Sequence, residues 1–358
     1  KLYAMKVIDK SKLVTEKDIR NIVSERQILS NDHSFLLHLH WSFQTKQRLY
    51  LVLDYIGGGD LFFHLQSHKH GMTKKVVQFF AAELLLALEH LHACGVIYRD
   101  LKLENVLLDQ EGHVCLADFG LAKMLEKGTT RTSTICGTPG YLAPEILAGK
   151  PYGRGVDLWS LGVLIYELST GVNPFLSNTT QETLKNIVYL QVRYPRELFS
   201  APLIDLLQSL IERDPHQRIT IEKMRAHPYF KGISWHKLLT RRVKPPFKIQ
   251  LNSERDVRNF DSTYTQMSMM LDDVTPRTDI TRVFSDDVVD RFKQRTVTLQ
   301  QKPPQALPVA SSSAVPNNDG SSSSSSSFSA PKSYNTAPTT QDILFLEDFS
   351  YTAPDALL

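Results

Sequence analysis

The chain has 358 residues, of which 42% are hydrophobic and 22% are charged, an ordinary composition for a protein that folds around its own core. It carries 41 Lys and Arg against 38 Asp and Glu, and this balance offers no polybasic tract of the kind typical of nucleic-acid binding. No run of about 18 apolar residues indicates a membrane span. We therefore expect two or three structural units, no nucleic-acid partner and no transmembrane segment.

The cysteine content points to a cellular compartment. Cys94, Cys115 and Cys136 are odd in number and widely spaced. This pattern fits a reducing environment better than a disulfide framework or a zinc site. We therefore expect a cytoplasmic protein that could also enter the nucleus.

The first residues already carry structural patterns. The chain begins at Lys1, and residues 2–8 alternate as a strand does. Because the strand pattern starts so early, we expect upstream strands to complete this sheet. From Glu16 to Ser30 apolar positions recur at helical spacing, and Asn31-Asp32 follows as a stop signal.

Two strand-like runs, 36–43 and 49–55, precede a glycine triplet, Gly57–Gly59. The runs predict a hairpin, and the triplet predicts a hinge. Helical periodicity then dominates to about Phe230, but a long polar stretch interrupts it between Tyr98 and Pro144. A site carried by loops on a helical scaffold is therefore expected. The clearest helical runs are 61–67, 74–93 and 157–170.

The C-terminal third changes character. Residues 301–340 form a Pro- and Ser-rich segment that contains the uninterrupted run Ser321–Ser327. Such a composition cannot bury enough apolar surface to become ordered, so we predict a disordered linker. Residues 341–358 regain apolar side chains and are predicted to form a docking segment.

The most informative stretch lies inside the polar region. Residues 98–105 read YRDLKLEN, and Asp118-Phe119-Gly120 follows thirteen residues after Asn105. Phosphoryl transfer needs positioning, a carboxylate near the attacking hydroxyl, and cations held against the phosphates. This spacing supplies those parts; the alternative is a polar surface loop with incidental charges.

Each polar residue of this stretch has a role that its chemistry suits. Asp100 would accept or orient the proton of the substrate hydroxyl, and Lys102 would neutralise the migrating phosphoryl group. Asn105 and Asp118 would hold Mg²⁺, a hard ion that prefers oxygen ligands.

With these motifs the sequence resembles the eukaryotic protein-kinase family over roughly residues 1–230. The resemblance implies an α+β, two-lobed fold, with a small β-rich N-lobe (1–53), a hinge (54–59) and a larger, mainly helical C-lobe (60–230). It also implies that ATP and Mg²⁺ are used. Lys102, two residues after Asp100, resembles the serine/threonine branch of the family, which implies a Ser or Thr acceptor.

The resemblance also implies the ATP contacts. Ala4-Met5-Lys6 matches the strand lysine that grips the α- and β-phosphates, and Glu25, nineteen residues later, matches its ion-pair partner. The other contacts are Leu53 as gatekeeper, the backbone of Asp54 and Ile56 at the adenine edge, Ala4 and Leu107 around the ring, and Asp60 at the ribose.

The same resemblance implies a preference among substrates. Asp60, Glu104 and Glu167 match acidic positions that, in the AGC group of protein kinases A, B and C, select arginine upstream of the phosphoacceptor. Carboxylate–guanidinium pairing is the physical reason. Gly140 stands where that group usually carries a Glu, which removes one acidic contact. Protein substrates with an upstream Arg are therefore expected, although each carboxylate taken alone is more often simply solvated.

Regulation is implied by the residues around Arg99, a charge that needs an anion if it is buried. Thr134 lies where the family carries its activation-loop phosphate, and a phosphate there would pair with Arg99 and Lys123. The alternative is a Thr-rich loop with no modification.

Two further pairs are expected to support the site without taking part in the chemistry. Glu145 should pair with Arg218, and Asp157 should hydrogen-bond the backbone of the catalytic loop.

Residues 231–300 resemble the C-terminal extension of the AGC group, in a layout close to that of protein kinase B and the serum- and glucocorticoid-regulated kinases. Thr275 resembles the turn-motif phosphosite of this tail, and Ser350 resembles the site in its hydrophobic motif. We expect 341–358 to dock against the Glu25 helix, and an upstream activating kinase to dock near the same helix. The protein is expected to be a monomer.

One family feature is missing from the printed sequence. Kinases carry a G-x-G-x-x-G loop over the phosphates, and no such sequence precedes Lys6. We therefore expect this chain alone to bind ATP poorly, and a catalytically impaired fragment or a pseudokinase-like scaffold is the alternative function. A pseudokinase would be favoured by loss of Lys6, Asp100, Asn105 or Asp118, and all four are present. The loop 137–145 and the tail argue against a small-molecule kinase.

Overall fold

The structure is a computed structural model that describes residues 2–126, 128–253, 255–260 and 351–352. Within these ranges the strands are β1 (Tyr3–Asp9), β2 (Leu39–Gln44), β3 (Arg48–Asp54), β4 (Val96–Ile97), β5 (Val106–Leu108), β6 (Val114–Leu116), β7 (Lys123–Met124) and β8 (Tyr351–Thr352). The α-helices are α1 (Glu16–Leu29), α2 (Leu61–Gln66), α3 (Lys74–Ala93), α4 (Pro144–Leu147), α5 (Gly155–Thr170), α6 (Thr180–Tyr189), α7 (Ala201–Leu210), α8 (Ile221–Arg225) and α9 (Trp235–Leu239). Short 3-10 helices cover Lys10–Lys12, Leu103–Asn105, Pro139–Tyr141 and Pro228–Phe230.

The N-terminal part is an antiparallel sheet in the order β1-β3-β2-β8. In the β1–β3 pair, Ala4 lies opposite Leu53. Successive side chains of a strand point to opposite faces. Ala4 and Lys6 therefore share one half-buried face of β1, while Met5 and Val7 are exposed on the other.

The helix α1 connects β1 to the rest of this sheet. It begins at a capping box in which Thr15 and Asp18 exchange hydrogen bonds between side chain and backbone. Ile28 and Leu29 are buried on its inner face, and Glu25 is buried with them. The helix predicted from Glu16 is thus confirmed, and its packing turns Glu25 toward the sheet.

The C-terminal part is mainly helical, with α3 and α5 packed together at its centre. α3 is long and apolar enough to cross a bilayer by length and composition, but 78% of its apolar window is buried within the protein. It is therefore accounted for as the central core helix of this part. α5 ends at Gly171, whose φ of +83° is the left-handed conformation that terminates many helices.

The polar stretch between the helices forms two small antiparallel pairs, β4 with β7 and β5 with β6. The sequence did not predict these strands, because two or three residues are too few to establish an alternating pattern. The pairs hold the loops of the polar stretch against the helical core.

After α9 the chain returns to the glycine-rich hinge. The Tyr55 hydroxyl donates to the backbone oxygen of Asp256 at 2.7 Å, and Asn259 Nδ2 donates to the backbone oxygen of Gly57 at 3.3 Å. The tail is therefore fastened beside the segment that was predicted to bind adenine. The predicted phosphosites Thr275 and Ser350 and the predicted linker 301–340 lie outside the described residues.

Candidate active site

A lysine in the middle of the outer strand β1 meets two carboxylates. Lys6 Nζ lies 2.7 Å from Glu25 Oε1 and 3.3 Å from Asp118 Oδ1. β1, α1 and the segment after β6 supply these residues, which are up to 112 positions apart. Three of the predicted site residues are thus brought together.

The electrostatics of this cluster are set by burial. Burial acts to lower the pKa of Lys6, but the carboxylates of Glu25 and Asp118 outweigh it, and the pKa is raised. For Glu25, burial is the largest effect and raises the pKa of its carboxyl, with Lys6 opposing it. Lys6 therefore stays cationic at neutral pH, as binding to phosphates requires.

Asp100 lies in a buried network of hydrogen bonds. Its Oδ1 accepts from the Thr138 hydroxyl at 2.7 Å, and its Oδ2 accepts from Asn105 Nδ2 at 2.9 Å. Lys102 Nζ lies 2.9 Å from the same Oδ2 and donates to Thr138 Oγ1, also at 2.9 Å. The three predicted catalytic residues, Asp100, Lys102 and Asn105, are therefore neighbours in space.

Asp157, which is fully buried on α5, holds the backbone of the catalytic loop, residues 98–105. Its two carboxylate oxygens accept the backbone N–H groups of Tyr98, at 3.0 Å, and Arg99, at 2.8 Å. His92 lies 2.7 Å from the same carboxylate. These bonds hold Arg99 at a φ of +70°, a left-handed conformation that is uncommon for such a residue. The prediction for Asp157 is confirmed.

The other predicted support is also confirmed. Arg218 forms a bidentate pair with Glu145, at 2.6 and 2.9 Å, and both side chains are buried. Arg218 Nη1 also donates to the backbone oxygen of Gly155 at 2.9 Å. This pair ties α4 to the start of α5 and to the loop before α8.

The residues predicted to hold Mg²⁺ fit that ion by the chemistry of their donors. The backbone N–H of Ala117 donates to the Asn105 backbone oxygen at 2.9 Å, which brings the segment of Asp118 beside Asn105. Asn105 uses its amide nitrogen on Asp100, so its amide oxygen is the atom that can ligate a cation. Mg²⁺ is commonly held by one or two protein oxygens with phosphate oxygens and waters. Among the residues described, no group of three or more His, Cys, Asp and Glu side chains forms a separate metal site.

The residues predicted around the nucleotide come from both parts of the chain. Leu53 is buried and lies opposite Ala4 in the sheet, whereas Leu107 belongs to β5 and forms an isolated bridge with Asp60. Ala4 and Leu107 are both half-buried. Each therefore retains accessible apolar surface on which an aromatic ring could stack.

The hinge carries two predicted contacts, Asp54 and Ile56. Asp54 ends β3, and its Oδ1 lies 2.8 Å from Nε2 of the buried His40. Ile56 packs against the core. The carboxylate of Asp54 therefore points to β2, and its backbone N–H donates to the His38 backbone oxygen at 3.1 Å. The contact with His40 was not predicted, because the two residues are fourteen positions apart on different strands.

The three predicted substrate carboxylates differ in their surroundings. Asp60 caps α2, with its Oδ1 accepting from Phe63 N at 2.8 Å. Glu104 is exposed, and Glu167 is buried on α5. Burial raises the pKa of Glu167, and the nearby Glu104 raises it further. Glu104 and Glu167 thus form one acidic locus.

Glu167 has two neighbours that hold one of its oxygens. Its Oε2 accepts from the Tyr141 hydroxyl at 2.5 Å and from Asn173 Nδ2 at 3.2 Å. The sequence analysis did not single out Asn173. No motif marks it, since its role arises from the turn that follows α5.

The predicted regulatory residues line one cleft of about 560 Å³. Thr134, Arg99 and Lys123 all contribute to it, and so do Lys17 and Arg20 of α1. Arg99 donates from Nε to the backbone oxygen of Leu121 at 2.7 Å. The cleft therefore gathers four cationic side chains beside Thr134, two of which the sequence analysis did not identify.

Tyr152 links Arg99 to the segment that contains Thr134, the predicted site of the activation-loop phosphate. Arg99 Nη1 donates to the Tyr152 hydroxyl at 3.3 Å, and this hydroxyl donates in turn to the backbone oxygen of Thr134. Arg99 therefore donates to neutral oxygens here, and Glu126 is an acidic residue that lines the same cleft.

Comparison with known proteins gives the same family. The profile described as "Protein kinase domain" matches residues 1–230. The chain is 45% identical to the RAC family serine/threonine-protein kinase homolog of Dictyostelium discoideum, over 74% of this chain and 60% of that protein. It is 46% identical to the serine/threonine-protein kinase sck2 of Schizosaccharomyces pombe, over 75% and 43%.

A human relative, the serine/threonine-protein kinase Sgk2, is 42% identical over 74% of this chain and 73% of its own length. The chain spans less than two thirds of the first two relatives. The kinase profile, at residues 1–230, spans strands β1 to β7 and helices α1 to α8. The chain therefore belongs to the protein kinase family, within the AGC group of serine/threonine kinases.

Proposed function

We propose that this protein transfers the γ-phosphoryl group of ATP to a serine or threonine hydroxyl of protein substrates that carry an upstream arginine. The observation that carries the proposal is the meeting of Lys6 with Glu25 and Asp118. Glu25 holds the lysine in place, and Asp118 lies within reach of the same ammonium group. Lys6 is thereby positioned to grip the phosphates of the nucleotide.

Asp100 is the residue that receives the substrate hydroxyl. Asn105, Lys102 and Thr138 fix its carboxylate, so it is oriented before the substrate arrives. The hydroxyl oxygen bonds to the γ-phosphorus while the bond to the ADP oxygen breaks, and the electron pair leaves with ADP. The hydroxyl proton passes to the Asp100 carboxylate and from there to solvent.

Two further groups stabilise the charge on the transferring phosphoryl. Lys102, which lies 2.9 Å from Asp100 Oδ2, places a cation beside the reacting oxygens. Asn105 and Asp118 are the residues that would hold Mg²⁺, and this ion neutralises phosphate charge when bound.

The test is transfer of labelled phosphate from ATP to a serine peptide with upstream arginines, using the full-length protein. Asp118→Ala should reduce transfer by about a thousandfold or more, because the cation ligand beside Lys6 is lost. Asp205→Asn is the matched control, since this exposed carboxylate pairs with His227 and has no role in the proposed transfer. Wild-type protein that binds ATP without transferring phosphate would favour a scaffold.

We further propose that Asp60, Glu104 and Glu167 bind the upstream arginine. Glu104 supports this proposal, because it is exposed in the short helix Leu103–Asn105, directly after Lys102. A peptide series in which Ala replaces each arginine in turn tests this; equal kcat/KM for all peptides would contradict it.

Regulation by phosphorylation is part of the proposal. Phosphate on Thr134 would enter the cationic cleft formed by Lys17, Arg20, Arg99 and Lys123 and order the activation segment. Thr275 and Ser350 are the proposed tail sites. Mass spectrometry of the protein from its own cells, with activity measured for Thr134→Ala, tests these assignments.

We propose that the tail end and an upstream kinase dock near α1, and that the protein acts as a monomer. Pairing of β8 with the edge of β2 supports docking of the tail in cis. The three cysteines are free thiols, which supports a cytoplasmic or nuclear location. Light scattering and imaging of the tagged full-length protein test the monomer and the location.

A further inference from the structure

Asn173 lies in the turn after α5, between Glu167 and the backbone N–H groups of that turn. Its Nδ2 donates to Glu167 Oε2 at 3.2 Å. Its Oδ1 accepts from the backbone N–H groups of Phe175, at 3.0 Å, and Leu176, at 3.2 Å. Because the two N–H groups require an acceptor, they fix the orientation of the amide. The NH₂ group must therefore face Glu167.

The hydrogen bonds at Glu167 are divided unevenly between its oxygens. A carboxylate oxygen has two lone-pair sites. At Oε2 one is used by the Tyr141 hydroxyl and the other by Asn173. Oε1 is therefore the oxygen that remains for an incoming guanidinium. A single-oxygen contact is weaker than the bidentate pairing that arginine and a carboxylate otherwise form.

Gly140 makes this arrangement possible. A Cβ atom at Gly140 would lie 3.2 Å from Asn173 Nδ2, closer than side chains comfortably pack. Gly140 is buried in the short helix that also carries Tyr141. The position of the Asn173 amide beside Glu167 therefore depends on the absence of a side chain at Gly140.

We propose that Asn173 is a specificity-determining residue that limits Glu167 to a single-oxygen contact with the substrate arginine. The inference rests on the proposed function, because it concerns the arginine that Glu167 would bind. Asn173 acts through Glu167 and has no part in the phosphoryl transfer. The protein should accept substrates with a weaker arginine preference than a free Glu167 would impose.

The experiment compares peptides with Arg or Ala at each upstream position, using the full-length protein. Asn173→Ser keeps an oxygen that can accept from the turn but moves the donor away from Glu167. It should raise the Arg-to-Ala ratio of kcat/KM about five- to tenfold, through a lower KM for the Arg peptide and an unchanged kcat. Gly140→Ala should act in the same direction, because the new methyl group displaces Nδ2.

A double-mutant cycle separates this role from a structural one. In a Glu167→Gln background, Asn173→Ser should leave the ratio unchanged. Ser177→Ala is the matched control, because the Ser177 hydroxyl, four residues after Asn173, donates to Glu182 rather than to Glu167. The Arg-to-Ala ratio of kcat/KM in this control variant should equal that of wild type. The proposal is overturned by an unchanged ratio in both single variants, or by an equal rise in the Glu167→Gln background.

The same comparison is made by fluorescence anisotropy with labelled peptides, so that catalysis is not needed. Absence of phosphate transfer by wild type would defeat the proposed function alone. The ratio of Kd values for Arg and Ala peptides would still shift in Asn173→Ser if the inference holds, and a constant ratio would overturn it.

Discussion

Asp157 shows how one buried carboxylate fixes a loop. Its two oxygens accept the backbone N–H groups of Tyr98 and Arg99, and His92 lies against it. Asp157→Asn replaces one acceptor oxygen with a donor, which leaves a buried N–H facing an NH₂ group. We expect a loss of about 3 kcal/mol in the free energy of unfolding and a lower kcat.

Urea denaturation and steady-state kinetics measure both effects. Asp205→Asn, on the surface next to His227, serves as the control and should change the free energy of unfolding by less than about 0.5 kcal/mol. A stable Asp157→Asn variant with normal kcat would contradict the role assigned to these hydrogen bonds.

His33 gives a pH dependence of stability. Burial, then His90 and Arg241, lower its pKa from 6.5 to about 4, against the opposing effect of Asp32. Between these values the unfolded state binds more protons, so stability falls as the pH drops through this window. The loss should be about 2 kcal/mol, since partial exposure of His33 to water weakens the full effect.

The measurement is the free energy of unfolding between pH 7 and pH 4. His33 Nδ1 accepts a hydrogen bond from Phe35 N at 3.3 Å. His33→Asn removes the titrating ring, and the Asn side-chain oxygen can still accept from Phe35 N. We expect a flatter pH profile for this variant. The exposed His236→Asn should retain the wild-type slope, and a wild-type slope in His33→Asn would refute the assignment.

At the scale of elements, β8 completes the sheet from the far end of the sequence. Thr352 lies opposite Trp41, and Tyr351 lies opposite Ser42. Thr352→Pro removes a backbone N–H and should weaken this pairing. Amide hydrogen exchange in β2 should then rise about tenfold or more, whereas Thr352→Ala, which keeps the N–H, should leave it near wild type. Equal exchange in the two variants would show that the pairing contributes nothing.

The longer elements could be predicted from the sequence because their periodicity extends over several turns or residues. α1, α3 and the hairpin of β2 and β3 are confirmed. The short strands β4 to β7 could not be predicted, because two or three residues are too few to show an alternating pattern.

At the scale of the whole molecule, Arg241 joins the tail to both parts of the chain. Its guanidinium donates to the Ser34 backbone oxygen, in the loop before β2, and to Asp109 Oδ2 at 2.7 Å, in the turn after β5. It also lies over the ring of the buried Phe35, 5.8 Å from its centroid. Arg241→Ala should lower the free energy of unfolding by about 1–2 kcal/mol, because the guanidinium is partly exposed.

The same variant should raise KM for ATP, because the loop before β2 would move more freely relative to the hinge. Calorimetry and kinetics measure the two effects. The exposed neighbour Arg242 is the matched control, and Arg242→Ala should alter neither quantity. If the two variants behaved identically, Arg241 would not be the residue that joins the tail to the two parts of the chain.

The proposed catalytic residues could be predicted from the sequence because they are clustered in two short motifs with fixed spacing. Asp100, Asn105 and Asp118 span only nineteen positions. Thr138, Asn173 and Arg241 were missed, since each acts on a partner 6 to 207 positions away, through a turn or a tail whose path no pattern specifies. Short sequence motifs identify residues that suit a given chemistry. They do not identify which residues from elsewhere in the chain will contact them in the folded protein.

The position of β8 has a consequence for synthesis of the protein on the ribosome. About 300 residues separate β2 from the strand that covers its edge. At 5–20 residues per second, translation needs roughly 15–60 s to cover that distance. During this interval a nascent chain presents the unpaired N–H and C=O groups of β2, which are a template for another strand. Polysomes that carry several copies are therefore where strand exchange between nascent chains is most favoured.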